Sequence, residues 1–83
     1  MTTPEQLRAA RALIGMTQPQ IADAAGVSSM TVKRAEGSGK PAASADAIAA
    51  IRAALESAGV VFLPENGNGP GVALRKAGDA NRS

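Results

Sequence analysis

The feature that most constrains this chain is a repeated set of helix start and stop signals. Thr3–Gln6 and Thr17–Gln20 each read Thr-x-x-Gln, the pattern of an N-terminal capping box. Gly15 and Gly26 follow the first and second of these segments, at the position where a residue in the left-handed backbone conformation commonly ends a helix. With serine caps further on, the signals predict four helices, over residues 4–14, 18–25, 29 to about 36, and 45–58.

Apolar residues recur at helical spacing within the first and last of these segments. The predicted inward-facing residues are Leu7, Ala10, Leu13 and Ile14 in the first helix, and Ile48, Ile51 and Leu55 in the fourth. The segments are short and amphipathic, which is typical of a small helical domain.

The pattern changes after Gly59. Val60–Leu63 is a wholly apolar run rich in β-branched residues, residues 64–71 have turn composition, and Val72-Ala73-Leu74-Arg75 follows. This order predicts a β-hairpin with a wide loop. The expected fold is therefore mostly α, with a four-helix domain over 1–58, a hairpin over 59–76 and a disordered tail over 77–83.

Composition excludes several classes of function. The chain has no cysteine and no histidine, so disulfides, the usual zinc sites and histidine catalysis are absent. With Phe62 as its single aromatic residue, it cannot stack a series of bases. We expect no catalytic site, metal or cofactor. No apolar run approaches the length of a membrane span, and no signal peptide is evident, so we expect a cytoplasmic protein.

The segment from Thr17 to Gly37 has the residue types that two short crossing helices need. Ala22 is small enough for a close helix crossing, Gly26 permits the positive φ of a tight turn, and Val27 is placed to fill the space between the helices. Val32 and Ala35 are expected to face inward from the third helix.

The other face of the third helix is then left to point outward. It carries Ser29, Met30, Lys33 and Arg34, which include several hydrogen-bond donors and no acidic residue. A helix this short fits a DNA major groove about 12 Å wide.

Residues 5–58 resemble the DNA-binding helix-turn-helix domain of the phage-repressor-like XRE (Cro/C1) family. The resemblance rests on Leu7–Arg11, on Gly15–Gln18 at the entry to the second helix, and on Glu36-Gly37 at the end of the third. Ala58–Gly67 is similar to a Gly-Val-x-Phe-Ile-Pro-Glu-Asn-Gly ending of very small bacterial members. The resemblance implies a transcriptional regulator that reads a palindromic operator with the third helix in the major groove.

The resemblance also assigns roles by position. Arg11 and Glu36 match an ion pair that ties the first helix to the end of the third. The implied DNA-contacting residues are Gln18, Ser28, Ser29, Met30, Lys33, Arg34 and Lys40.

The hairpin favours a homodimer, because both faces of its first strand are apolar and a lone hairpin would leave one of them wet. A twofold dimer would also present two recognition helices to two half-sites. The predicted interface residues are Val60, Val61, Phe62, Leu63, Val72 and Leu74. The alternative is a hairpin folded wholly onto its own helices.

A second function remains open at this point. The first 40 residues carry five basic and three acidic side chains, a modest excess for DNA binding. A protein-binding helix-turn-helix, of an antiactivator or antitoxin-like kind that docks on another regulator, would need no larger charge. For a DNA-binding regulator, RNA polymerase or another regulator is a further partner to consider.

Overall fold

The computed structural model describes residues 2–64, 67 and 69–75. Four helices are followed by two antiparallel strands: α1 Pro4–Ile14, α2 Gln18–Ala25, α3 Ser29–Ala35, α4 Ala45–Ser57, β1 Val60–Leu63 and β2 Gly71–Leu74. The mostly helical architecture with a C-terminal hairpin is confirmed, and α3 and α4 each end one residue earlier than expected. The prediction of a disordered tail over 77–83 lies outside the described residues.

Both predicted capping boxes are present. The Gln6 backbone N–H donates to Thr3 Oγ1 at 3.1 Å, and the Thr3 N–H donates to Gln6 Oε1 at 2.9 Å. Thr17 and Gln20 make the same exchange at 3.2 and 2.8 Å. These bonds satisfy backbone donors that the first turn of a helix cannot pair internally. Local sequence therefore fixes where α1 and α2 begin.

The core lies where the four helices meet the inner face of the hairpin. Its buried apolar residues are Leu7, Ala10, Ile21, Ala22, Val32, Ala35, Ile51, Leu55, Val60 and Phe62. The inward placement predicted for Leu13 is wrong, since this residue is 43% exposed. It lies six residues beyond Leu7, about 240° around the helix, which takes it past the arc that faces the core.

The hairpin covers the helices with one face only. Val60 and Phe62 are 3% and 8% exposed, and Val72 packs beside them against the core. Val61 and Leu63 alternate with them and stay 40% and 42% exposed. Val60 and Phe62, two of the predicted interface residues, are therefore covered by their own chain, whereas Val61 and Leu63 stay on the outer face.

Gln6 connects α1 to the loop end of the hairpin. Its Nε2 donates to the carbonyl oxygens of Leu63 at 3.2 Å and Gly71 at 3.0 Å, one on each strand. Its side chain is 5% exposed, and these bonds provide partners for a buried amide. One glutamine thus both caps α1 and anchors the hairpin. Within the described part of the chain, no helix is both long and apolar enough to cross a bilayer.

Candidate nucleic-acid interface

The turn between α2 and α3 sets the direction of α3. Gly26 adopts φ 73°, in the left-handed region, and the Val27 N–H donates to the Ala22 carbonyl at 3.0 Å. Ala22 is 3% exposed in the core, and Val27 packs against the same core. The bond across the turn and these two packed residues hold α2, the turn and α3 as one unit.

α3 has one buried side and one outward side. Val32 and Ala35 are 0% and 3% exposed, as expected from their spacing. On the outward side, Met30 is 50% exposed and Lys33 is also exposed. Ser29 is half-buried. None of these outward residues is enclosed by the chain itself.

Ser28 caps α3 with its side chain. Its Oγ accepts from the Thr31 backbone N–H at 3.1 Å and lies 2.9 Å from Thr31 Oγ1. The hydroxyl is exposed, but it already has local partners. Its clearest role in the structure is therefore to start the helix.

Glu36 is the centre of a polar cluster behind α3. Its carboxylate accepts from Arg11 Nε at 2.8 Å, Arg11 Nη2 at 3.1 Å and Gln18 Nε2 at 3.0 Å. Glu36 is 4% exposed, and the bidentate pair with Arg11 supplies the partners that a buried carboxylate needs. The hydrogen bond from Arg11 to Glu36 raises the pKa of the arginine above its ordinary value, against a smaller lowering by burial.

This cluster joins three helices. Arg11 belongs to α1, Gln18 begins α2, and Glu36 follows the last residue of α3. Arg11 also donates to the Met16 carbonyl at 3.2 Å, and Arg8 donates to the Glu36 backbone carbonyl. The end of α3 is thereby held on both its side chain and its backbone.

The remaining cations near α3 form no salt bridge with a carboxylate of residues 2–64, 67 and 69–75. The salt bridges among the described residues involve Arg8, Arg11 and Arg52, and none involves Lys33, Arg34 or Lys40. These three positive charges stay available to an anionic partner.

Arg34 does not project as freely as the sequence suggested. It is half-buried, and it lines a cleft together with Lys40 from the loop after α3. The structure thus brings two of the predicted DNA-contacting residues together in one concave site, while Met30 and Lys33 lie on the open face of α3. Gln18 lies behind α3, with its amide on Glu36.

Sequence reasoning missed the bond from Arg8 to the end of α3 and the bonds from Gln6 to the hairpin. Arg8 lies on the same chain segment as Arg11, and an arginine three residues from the paired one was a signal that both could reach the end of α3. The bonds from Gln6 to the hairpin had no comparable local signal, because they join residues 57 and 65 positions apart.

A comparison with models of known protein families finds no match to this chain, and a comparison with curated proteins finds no relative.

Proposed function

We propose that this protein is a sequence-specific double-stranded DNA-binding transcriptional regulator, in which α2 and α3 act as a helix-turn-helix and α3 enters the major groove. The observation that carries the proposal is the division of α3 into a buried side, with Val32 and Ala35, and an open side, with Met30 and Lys33. α3 contains no acidic residue. Its seven residues span about 10 Å, which suits a groove about 12 Å wide.

The electrostatics around α3 support a polyanionic partner. The carboxylate of Glu36 is buried and bound to Arg11 and Gln18, so it contributes little negative potential to the open face. Lys33 and Lys40 are exposed and make no salt bridge with a described carboxylate. A positive surface of this kind attracts phosphates and releases counterions when DNA binds.

Distinct roles follow from the side-chain chemistry. Arg34 has the planar fork that matches guanine O6 and N7, while Lys33 and Lys40 supply point charges for phosphates. Met30 would lie against a thymine methyl group. The hydroxyls of Ser28 and Ser29, at the start of α3, and the second Nε2 N–H of Gln18 would donate hydrogen bonds to the DNA backbone.

The outer face of the hairpin supports a homodimer. Val61, Leu63 and Leu74 are 40%, 42% and 51% exposed, a large share for bulky apolar side chains on so small a surface. A second copy placed on this face would shield it and pair two copies of α3. Two such helices read half-sites about 34 Å apart on one face of DNA.

The test begins with selection of bound sequences from random duplexes by the purified protein. We expect an enriched palindromic site, and an affinity for it that falls steeply with added salt. Lys33→Ala should weaken binding and reduce the salt slope by about 0.9 if Lys33 contacts one phosphate. Arg75→Ala, which removes a positive charge at the end of the hairpin and outside the surface assigned to DNA, is the control and should leave the slope nearly unchanged.

Failure to enrich any sequence, or an affinity that does not depend on salt, would contradict DNA binding. A stable complex with another regulator under the same conditions would instead support the protein-binding alternative, which the same open face of α3 could serve. The variants distinguish the two, because protein docking has no reason to follow the counterion slope.

A further inference from the structure

A cleft of about 700 Å³ lies beside the C-terminal end of α3, between the start of α1 and the loop over residues 36–44. Its lining combines two cations, three apolar side chains and the backbone of two glycines: Arg34, Lys40, Pro4, Pro41, Ala42, Gly37 and Gly39. No carboxylate of the described residues lines it. The cleft thus combines apolar side chains with two positive charges.

Arg34 is the residue that most clearly lacks a partner. Its Nε is buried and has no hydrogen-bond acceptor among the described residues. Buried donors in folded proteins are nearly always paired, because an unpaired one keeps its desolvation cost. The described residues supply an acceptor for Arg8, Arg11 and Arg52, and none of them supplies one for Arg34 Nε. An acceptor in the cleft would meet the part of the Arg34 side chain that lines it.

The wall of the cleft is shaped by Gly37. This residue has φ +97°, and a Cβ there would lie 3.4 Å from both Pro4 Cβ and Arg8 Nη1. A side chain at position 37 would therefore be strained by this backbone conformation, and its Cβ would be in contact with the start of α1. The glycine keeps the apolar wall at Pro4 open to the cleft.

We propose that this cleft binds a small amphipathic carboxylate, an organic anion with an apolar body. The carboxylate would bond the Arg34 guanidinium as a fork, with Lys40 adding a second positive charge, and the apolar body would cover Pro4, Pro41 and Ala42. An inorganic or DNA phosphate would use the two cations alone and leave the apolar lining in water. The combined lining therefore favours the amphipathic anion over a phosphate.

This site gives the regulator a means of control, an inference that rests on the proposed function. Arg34 and Lys40 belong to the surface assigned to DNA, so a carboxylate on them removes charge that DNA would use. The ligand and DNA should then compete, each lowering the apparent affinity of the other.

The first test measures ligand binding without DNA. Octanoate is titrated into the full chain at neutral pH and followed by amide chemical shifts, with octanamide as the uncharged comparison. We expect octanoate to shift the amide signals of Gly37, Gly39 and Ala42. Octanamide should bind at least about tenfold more weakly than octanoate, because it cannot make the charge-assisted hydrogen bond. Shifts centred on Val61 and Leu63, or equal binding of the two probes, would overturn the proposal.

Two matched variants sharpen this test. Ala42→Glu places a negative charge in the exposed rim of the cleft and should weaken octanoate binding about tenfold. Ala53→Glu makes the same change on an exposed position of α4 outside the cleft and should leave it unchanged. An equal effect of both variants would show a general charge effect and would overturn the site.

A second measurement separates this proposal from the DNA proposal. Octanoate at saturation should raise the apparent Kd for the selected duplex, and octanamide at the same concentration should not. If octanoate occupies the cleft while DNA affinity stays constant, the competitive role is overturned and the ligand site stands. If no duplex is ever selected, the shifts at residues 37–42 still decide the ligand site.

Discussion

Glu36→Gln tests whether the buried carboxylate holds α3 in place. The substitution keeps the size of a side chain that is 4% exposed but removes its charge. In the native chain the two carboxylate oxygens accept three hydrogen bonds, from Arg11 Nε, Arg11 Nη2 and Gln18 Nε2. A glutamine has one acceptor oxygen, and its NH₂ group would meet donors already present on Arg11 or Gln18.

The expected loss follows from this geometry. Removing one partner of a buried ion pair costs about 3–5 kcal/mol when both groups are enclosed. The Arg11 side chain is 26% exposed, so water can hydrate part of the guanidinium when its carboxylate partner is removed. We therefore expect the free energy of unfolding to fall by about 2 kcal/mol, since a charge-assisted hydrogen bond contributes about 1.5–3 kcal/mol. In a domain of this size, that corresponds to a decrease in Tm of about 10 °C.

The assay is urea unfolding followed by far-ultraviolet circular dichroism at one protein concentration, because the chain has no Trp or Tyr for fluorescence. Glu56→Gln is the matched control: Glu56 pairs with Arg52 at 3.2 Å but is 47% exposed, so its loss should cost less than about 0.5 kcal/mol. If the two variants lose the same stability, the reasoning about the buried cluster is refuted.

Four further outcomes are expected. Gly26→Ala should destabilise by about 1 kcal/mol in urea unfolding, because φ 73° is strained for alanine although no atom blocks its Cβ. Gln6→Leu should cost about 1–3 kcal/mol and increase amide exchange in the hairpin, since two strand carbonyls lose their partner. Leu63→Lys should give a monomer by light scattering, whereas Leu13→Lys, at a similarly exposed leucine on α1, should not. Arg11→Gln should lower the free energy of unfolding by the same amount at neutral and at mildly alkaline pH. The pKa of Arg11 is raised in the folded state, so the stabilisation by its charge is fully present below its ordinary pKa and is lost only as the pH rises through the raised one.

The helices were predictable to within one residue because their signals are local. A threonine or serine that accepts the N–H three residues on, and a glycine with positive φ at the end, act within one turn of the chain. The inward direction of Val32 and the exposure of Met30 were also predictable, since the helical period fixes which residues share a face.

The candidate site was predictable only in part. The pairing of Arg11 with Glu36 followed from the resemblance to a known family, but the inclusion of Gln18 and Arg8 around the same glutamate did not. The meeting of Arg34 and Lys40 in one cleft depends on the path of the loop after α3. Glycine and proline composition predicts a loop there without saying which way it turns.

The sequence by itself determined the number and order of the helices and strands, and their bounds to within one residue, because caps and short-range periodicity operate over a few residues. It also left α3 without an acidic side chain. Only the tertiary structure decided which apolar face of the hairpin is covered and which polar groups are paired. Packing made Val60 part of the core and left Val61 outside, and it gave Gln6 partners about 60 residues away while leaving Arg34 Nε without one. Such pairings depend on which surfaces meet in space, which no local signal specifies.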